Sequence, residues 1–322
     1  IKIAVRNFRR HKLFSFINIF GLALSMSVCL LVLLRIKDQV GYDKFHPLAD
    51  RTYRITTTLT NKQGNTYRFA TSPLPLANAL STDYNFIDKQ VRLYPAGNHR
   101  GVTSGKRLDI KSSFTDPAFF EVFGFKLQSG DPRSALEQPN SIVLSKETAV
   151  KFFGTSEAKG QIISIGQFGD FQVTGVMDKP AGKSHIDFDA YISMSSVPSL
   201  EKSGKLSALL DNWNMTTTNY TYLLLRRTAS LKQLTQGVND IANKLIKQST
   251  VTGKENLQFS VQPFNDIILS EEMLNNLGNT GSRGKMWAEV AIALVILISA
   301  CFNYTNLSIA RSLKRGKEVG IR

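Results

Sequence analysis

From Leu13 to Leu34 the chain runs for 22 residues without an Asp, Glu, Lys or Arg. At 1.5 Å rise per residue, a helix of that length covers roughly 33 Å, about the thickness of a bilayer's hydrocarbon core. A second stretch, Met286 to Ala310, holds 25 residues and a single charge, Glu289, near its start. A soluble core helix has little use for so long an uncharged run. The two stretches are therefore read as membrane spans that bracket a folded region.

The cations give the orientation. Lys2, Arg6, Arg9, Arg10 and Lys12 precede the first span, and Arg311, Lys314, Arg315, Lys317 and Arg322 follow the second, against Glu318 alone. These two ends hold nine of the fifteen net positive charges. Two spans leave both ends on one side, and the positive-inside rule makes that side cytoplasmic. The expected order is a basic cytoplasmic segment (1–12), a first transmembrane helix (13–36), an extracytoplasmic domain (37–285), a second transmembrane helix (286–310) and the start of a cytoplasmic segment (311–322). The same distribution argues against nucleic-acid binding, which a sequence pI near 9.8 would otherwise invite. The first apolar run exceeds the roughly 7–15 residues of a signal peptide and no A-x-A-like site follows it, so an uncleaved anchor is expected. Because the chain opens at Ile1 and stops after a charged segment, it reads as an excerpt of something longer.

Both cysteines, Cys29 and Cys301, fall inside the spans, so the external region must fold without disulfides. It is long enough to do so, and two subdomains are expected. Short runs rich in Val, Ile, Phe and Tyr predict strands at 52–59, 66–70, 90–94, 107–111, 141–144, 161–165, 171–177, 188–194, 220–226 and 257–263. The turn from Gly166 to Asp170 predicts a hairpin. Helices are predicted over 74–80, 117–122, 146–153 and 231–247. In the last, Ser230 and Gln233 form a capping signal, and Leu231, Leu234, Val238, Ile241 and Leu245 form one apolar face. The mixture implies an α+β domain with helices laid on antiparallel sheets. Loops are expected at 203–207 and 278–284.

Little of the sequence speaks for catalysis. His11, His46, His99 and His185 are scattered singly, without HExxH or paired metal spacing, and read as surface or hydrogen-bonded structural residues. No G-x-S-x-G elbow occurs. Gly284-Lys285 has the ending of a Walker A loop, but Asn279 stands in place of the first Gly and Met286 in place of the Ser/Thr, so the chain is not itself an ATPase. Asp187 and Asp189, alternate on a predicted strand, could hold a cation or could be solvated strand-edge charges. No cofactor and no metal are called for.

The spans carry their own pattern. Gly21 with Ser25, and Ala23 with Ser27, place small residues at i, i+4, which permits close approach of another helix. Ser299, Asn303 and Asn306 share a face in the second span. Amides inside a membrane need partners, so this stripe either faces protein or a wet crevice, or lies at headgroup level. Trp287 stands where an interfacial aromatic is expected.

Several segments taken in order resemble a known family. Ile3-Ala-Val-Arg-Asn-Phe-Arg-Arg-His-Lys12 leads into Phe14-Ser-Phe-Ile-Asn-Ile-Phe-Gly-Leu-Ala23. Tyr42-Asp-Lys-Phe-His-Pro47, Ala49-Asp-Arg-Thr-Tyr-Arg-Ile55, Phe114-Thr-Asp-Pro-Ala-Phe-Phe-Glu-Val-Phe123, Gly130-Asp-Pro132, Val173-Thr-Gly-Val176 and Lys183-Ser-His185 follow. The end reads Ala300-Cys-Phe-Asn-Tyr-Thr-Asn-Leu-Ser-Ile-Ala-Arg311 and Arg315-Gly-Lys-Glu-Val-Gly-Ile-Arg322. Together they resemble the first half of an FtsX-like, MacB-like ABC transporter permease, of the long type common in Bacteroidetes.

That resemblance implies a periplasmic core domain, further spans beyond Arg322, a bacterial inner-membrane location and a permease dimer. It also implies a separate cytoplasmic ABC ATPase, and a periplasmic adaptor or outer-membrane channel as a further partner. In such systems ATPase closure moves the permease helices and, through them, the periplasmic domains. Lys317, Glu318, Gly320 and Arg322 would begin the segment that couples to the ATPase; plain topological anchoring is the alternative for the cations there. The expected function is export or mechanotransmission without catalysis by this chain. The alternative is a membrane-anchored sensor or scaffold with an external ligand-binding domain.

Overall fold

The computed structural model describes residues 12–248, 256–278 and 280–320, with backbone alone at 12–15, 18, 256, 307 and 310–320. The basic residues before Lys12, His11, Asn279 and Arg322 lie outside the described residues. Helix α1 (Lys12–Val40) opens the chain. Strands β1 (Thr52–Thr60) and β2 (Thr66–Phe69), helix α2 (Pro75–Asp83), β3 (Ile87–Thr103), β4 (Lys106–Thr115), α3 (Phe119–Phe123), β5 (Leu127–Ser129) and β6 (Ser141–Ser145) follow. Next come α4 (Lys146–Phe153), β7 (Ile162–Ile165), β8 (Gly169–Met177), β9 (Ala190–Ser193), α5 (Val197–Lys202), β10 (Tyr220–Leu225), α6 (Leu231–Lys247), β11 (Asn256–Pro263) and α7 (Arg283–Gly320). The chain divides into two compact units, one of residues 1–41 with 281–322 and one of residues 42–280.

In the first unit α1 packs antiparallel against α7. The less exposed residues of α1 are Gly21, Ser25, Val28, Cys29, Val32, Ile36 and Gln39; those of α7 as far as Ala300 are Met286, Glu289, Val290, Ala293, Ile296, Leu297 and Ala300. Both sets recur every seven residues, the seam of a left-handed helix pair. Two helical windows, Ile19–Val40 and Arg283–Asn306, are long and apolar enough to cross a membrane, and only 6% of each is buried. A soluble core helix would be mostly buried, so this exposure fits a lipid surround. At the ends Arg35 Nη1 meets Glu289 Oε1 at 3.0 Å.

In the second unit the described residues form one eleven-stranded sheet, in the order β11-β1-β10-β3-β4-β9-β6-β8-β5, with β2 on β1 and β7 bridging β3 and β8. The expected all-antiparallel layering is corrected here: β4 pairs β9, and β6 pairs β8, in parallel. A parallel pair needs a crossover, and α4 supplies it between β6 and β8, with β7 inserted on the way. The alternation of apolar residues reports that a strand exists but not its direction.

The sheet is continuous because β3, 17 residues long, serves two neighbourhoods. Its first half pairs β10 from Ile87 to Leu93, and its second half pairs β4 from Leu93 to Thr103. A register shift between Pro95 and Gly97, with Gly97 at φ +90°, bends it between the two. Three apolar cores attach to this frame. One packs Phe119, Phe123, Tyr191, Tyr222 and Phe264, and another packs Phe114, Phe152, Phe171 and Ile192. In the third, Leu234, Val238, Ile241 and Leu245 of α6 meet Ile55, Leu223 and Phe259.

The α6 capping box forms as its sequence predicts, Ser230 Oγ accepting from Gln233 N and Gln233 Oε1 from Ser230 N. Leu231, expected on the apolar face, is 42% exposed because it opens the helix, one turn before the sheet contact. Strand β5 and helix α5, three and six residues long, are too short for a periodic signal and escape sequence reading.

Candidate functional site

The least expected feature of the core domain is a buried cluster of ionisable side chains. Asp43, His46, Arg54, His185 and Tyr222 are each at most 5% exposed. Asp43 sits in a tight turn after α1 at φ +59°, a left-handed conformation that Asp tolerates better than most residues. Its amide donates to Lys183 O at 2.8 Å, which lays residues 42–47 along residues 183–186.

The Asp43 carboxylate accepts on both oxygens. Oδ1 receives Ser184 Oγ at 2.6 Å and the His185 amide at 3.1 Å, and lies 3.2 Å from His46 Nε2. Oδ2 receives His185 Nδ1 at 2.7 Å. Burial alone raises a carboxyl pKa; here the donors, His185 foremost, outweigh it and hold Asp43 well below the usual range.

A carboxylate only accepts, so Nδ1 of His185 carries a proton. Burial lowers the His185 pKa and keeps the ring neutral, with Arg54 and His46 opposing a further charge and Asp43 favouring one. Nε2 then has a free lone pair, and Tyr222 Oη donates to it at 2.8 Å. Burial in turn raises the Tyr222 pKa. His46 Nδ1 donates to Phe123 O at 2.6 Å, and the ring sits among Phe45, Phe125 and Phe264.

The strands extend the cluster across the sheet. Tyr222 of β10, Arg54 of β1 and Gln262 of β11 occupy one cross-strand row. Arg54 donates from Nε and Nη2 to Gln262 Oε1 at 3.0 and 2.6 Å, and from Nη2 to Asn276 Oδ1 at 3.3 Å. Its pKa is lowered by burial. Gly278, at φ +72°, presses on the backbone of His185, where a Cβ would stand 2.7 Å from the carbonyl oxygen.

Asp, His and Ser meet here, but not as a hydrolytic triad. His185 gives one nitrogen to Asp43 and the other to Tyr222, while Ser184 donates to the carboxylate. What this arrangement can do is fix three chain segments to one another. Among the described residues no group of His, Cys, Asp or Glu is placed to hold a metal ion. Asp189 is occupied by the Lys111 amide at 2.9 Å, and it and Asp187 lie just ahead of β9 rather than within it. Beside the cluster, a groove of about 760 Å³ is lined by Tyr67, Arg68, Glu272, Leu274, Asn276 and Thr280 among others.

Comparison with known proteins decides the family. The MacB-like periplasmic core domain matches residues 15–241. This chain belongs to that family. It is a membrane-associated ABC-type permease-like protein with a periplasmic core domain. The fold is similar to a domain from a protein assigned as a permease in Porphyromonas gingivalis, with 18% identity and a TM-score of 0.58 over 76% of this chain and 99% of that one. It is also similar to the periplasmic region of MacB from Actinobacillus actinomycetemcomitans, with 13% identity and a TM-score of 0.46 over 68% of this chain and 92% of that one. The extracellular domain of YknZ, a noncanonic ABC-type transporter of Gram-positive bacteria, gives 15% identity and a TM-score of 0.45 over 65% of this chain and 99% of that one. No curated protein matches the chain.

Within this MacB-like framework the span residues separate. Ser25 is 3% exposed and donates to Gly21 O at 2.6 Å. Gly21 is half-buried, but a Cβ there would meet nothing within 4 Å. Ala23 and Ser27 lie on the exposed side of α1, and Ser299, Asn303 and Asn306 on the exposed side of α7. Trp287 is exposed at the start of α7. Lys317, Glu318 and Gly320 belong to the same continuous helix, while Arg322 lies outside the described residues.

The Asp43 cluster was missed because its members lie 141 and 142 residues apart in sequence and the histidines look solitary. The available signal was that Tyr42–Pro47 and Lys183–His185, two of the segments carrying the family resemblance, each hold one of them.

Proposed function

We propose that this chain is the permease part of an ABC-type export or mechanotransmission system. It catalyses nothing itself and works with a separate cytoplasmic ATPase subunit. The observation that carries this reading is the order of parts. A MacB-like core domain stands in sequence between two apolar helices, and cations are massed beyond the outer end of each. In this reading the protein is a multi-pass inner-membrane permease dimer, with an adaptor or outer-membrane channel as a further periplasmic partner.

The continuity of α7 to Gly320 supports a mechanical role for its end, since a span that runs on as helix carries displacement without a hinge. Glu318 and Arg322 are four apart, the spacing at which opposite charges pair with each other or with a partner surface.

In the complete permease, Glu318→Lys and Arg322→Glu leave membrane insertion unchanged. They cut ATPase-coupled activity about tenfold, the equivalent of roughly 1.4 kcal/mol; Lys314→Arg changes neither. Full coupled activity in both variants reduces the segment to an anchor. Purification from membranes without a stoichiometric ATPase favours the sensor or scaffold reading.

A further inference from the structure

Two stretches of the core domain lead, along the chain, to its long helices. Residues 42–47 follow α1 by two residues and contribute Asp43 and His46; residues 273–280 precede α7 and contribute Asn276 and Gly278. Nothing in the hydrophobic pattern requires them to meet. They nevertheless attach to one buried polar network, Asp43 reaching Tyr222 through His185 and Asn276 bonding Arg54 directly.

We propose that the cluster of Asp43, His46, Ser184, His185, Tyr222 and Arg54 is a latch that fastens both connecting stretches to the same place on the sheet, so that they are held together and released together. His185 is its centre. One ring nitrogen holds Asp43, the other holds Tyr222 on β10, and its backbone is the surface on which Gly278 rests. Arg54, in register with Tyr222, holds Asn276 of the second stretch.

The choice of side chains fits a latch better than a simple core. Burying charges costs several kcal/mol of desolvation, and well-packed apolar residues of similar volume commonly stabilise as much or more. Directional bonds supply something apolar packing does not. They fix one register, and a partly broken buried network is worse than either a whole one or none, so opening is concerted. The inference goes beyond the permease reading and stands without it.

Hydrogen-exchange mass spectrometry on the whole chain in lipid nanodiscs tests the latch. In Asp43→Asn, peptides covering 42–47, 183–186 and 273–278 are expected to lose protection together, by tenfold or more. Peptides over 141–153 and 169–177, in the separate core around α4, are expected to stay as in the parent protein. If Asp43→Asn does not fold, Tyr222→Phe removes one hydroxyl and keeps the ring, and the same three peptides should quicken severalfold. The decisive peptide is 273–278, which contains no residue bonded to Asp43. Unchanged exchange there overturns the proposal. So does faster exchange spread evenly over the sheet, which would make the cluster a general stability element.

Discussion

At the scale of residues, Asp43 shows how a buried charge is tolerated. Its oxygens accept from three donors on two residues, Ser184 Oγ and the amide and Nδ1 of His185, and the side chain is ionised because neutralising it would strand them. Asp43→Asn keeps the shape but removes the charge and sets an amide against donors. Leaving a buried donor without its acceptor costs about 1–3 kcal/mol, and chemical denaturation of the detergent-solubilised chain should register a loss of at least that size.

Acid acts on the same contacts. The His185 pKa is lowered from 6.5 on folding, so the unfolded chain binds its proton first and stability falls as the pH drops below about 6.5. The Asp43 pKa is lowered from 3.8, so its contribution is present above that value and is lost as the pH falls further. Both effects have the same sign. Unfolding midpoints measured from pH 7.5 to about 2 should decline in two stages, the upper no steeper than about 1.4 kcal/mol per pH unit, and His185→Gln should remove the upper stage and shrink the lower one, because His185 is the main group holding the Asp43 pKa down.

At the scale of elements, the α1–α7 pair shows which small residues matter within this chain. Ser25 is buried in the seam, whereas a side chain added at Gly21 finds open space. Ser25→Leu should therefore push the helices apart, and Gly21→Leu should not. Cys29 Sγ lies 3.7 Å from Ala293 O, so oxidative cross-linking of Cys29 to an Ala293→Cys variant, with Cys301→Ser, reports their approach. We expect severalfold less cross-link with Ser25→Leu and parental yield with Gly21→Leu. Overpacking of this kind costs roughly 1–3 kcal/mol. Ser299, Asn303 and Asn306 are exposed in α7 and lie outside the heptad seam.

At the scale of the whole molecule, topology is the property on which the permease reading depends. Ser104, in the β3–β4 turn, and Ser203, after α5, are both exposed in the core domain. With Cys29 and Cys301 replaced by Ser, Ser104→Cys and Ser203→Cys should react with an impermeant thiol reagent in intact spheroplasts. Ser312→Cys should react only after the membrane is opened. Labelling at Ser312 first would reverse the orientation and end the coupling argument.

What the sequence by itself determined are the local properties. Uncharged length set the two apolar helices, short runs rich in Val, Ile, Phe and Tyr located ten of the strands, though only 90–94 of the longer β3, and Ser230 with Gln233 set the start of α6. Each depends on residues within one or two turns or a few positions along a strand, so one chain segment suffices to show it. Strand direction, the shared row of Tyr222, Arg54 and Gln262, and the meeting of Asp43 with His185 were decided only by the tertiary structure. A lone histidine carries no trace of its partner in its own neighbourhood. Its protonation and its bonds arise from burial and from groups brought to it by the sheet.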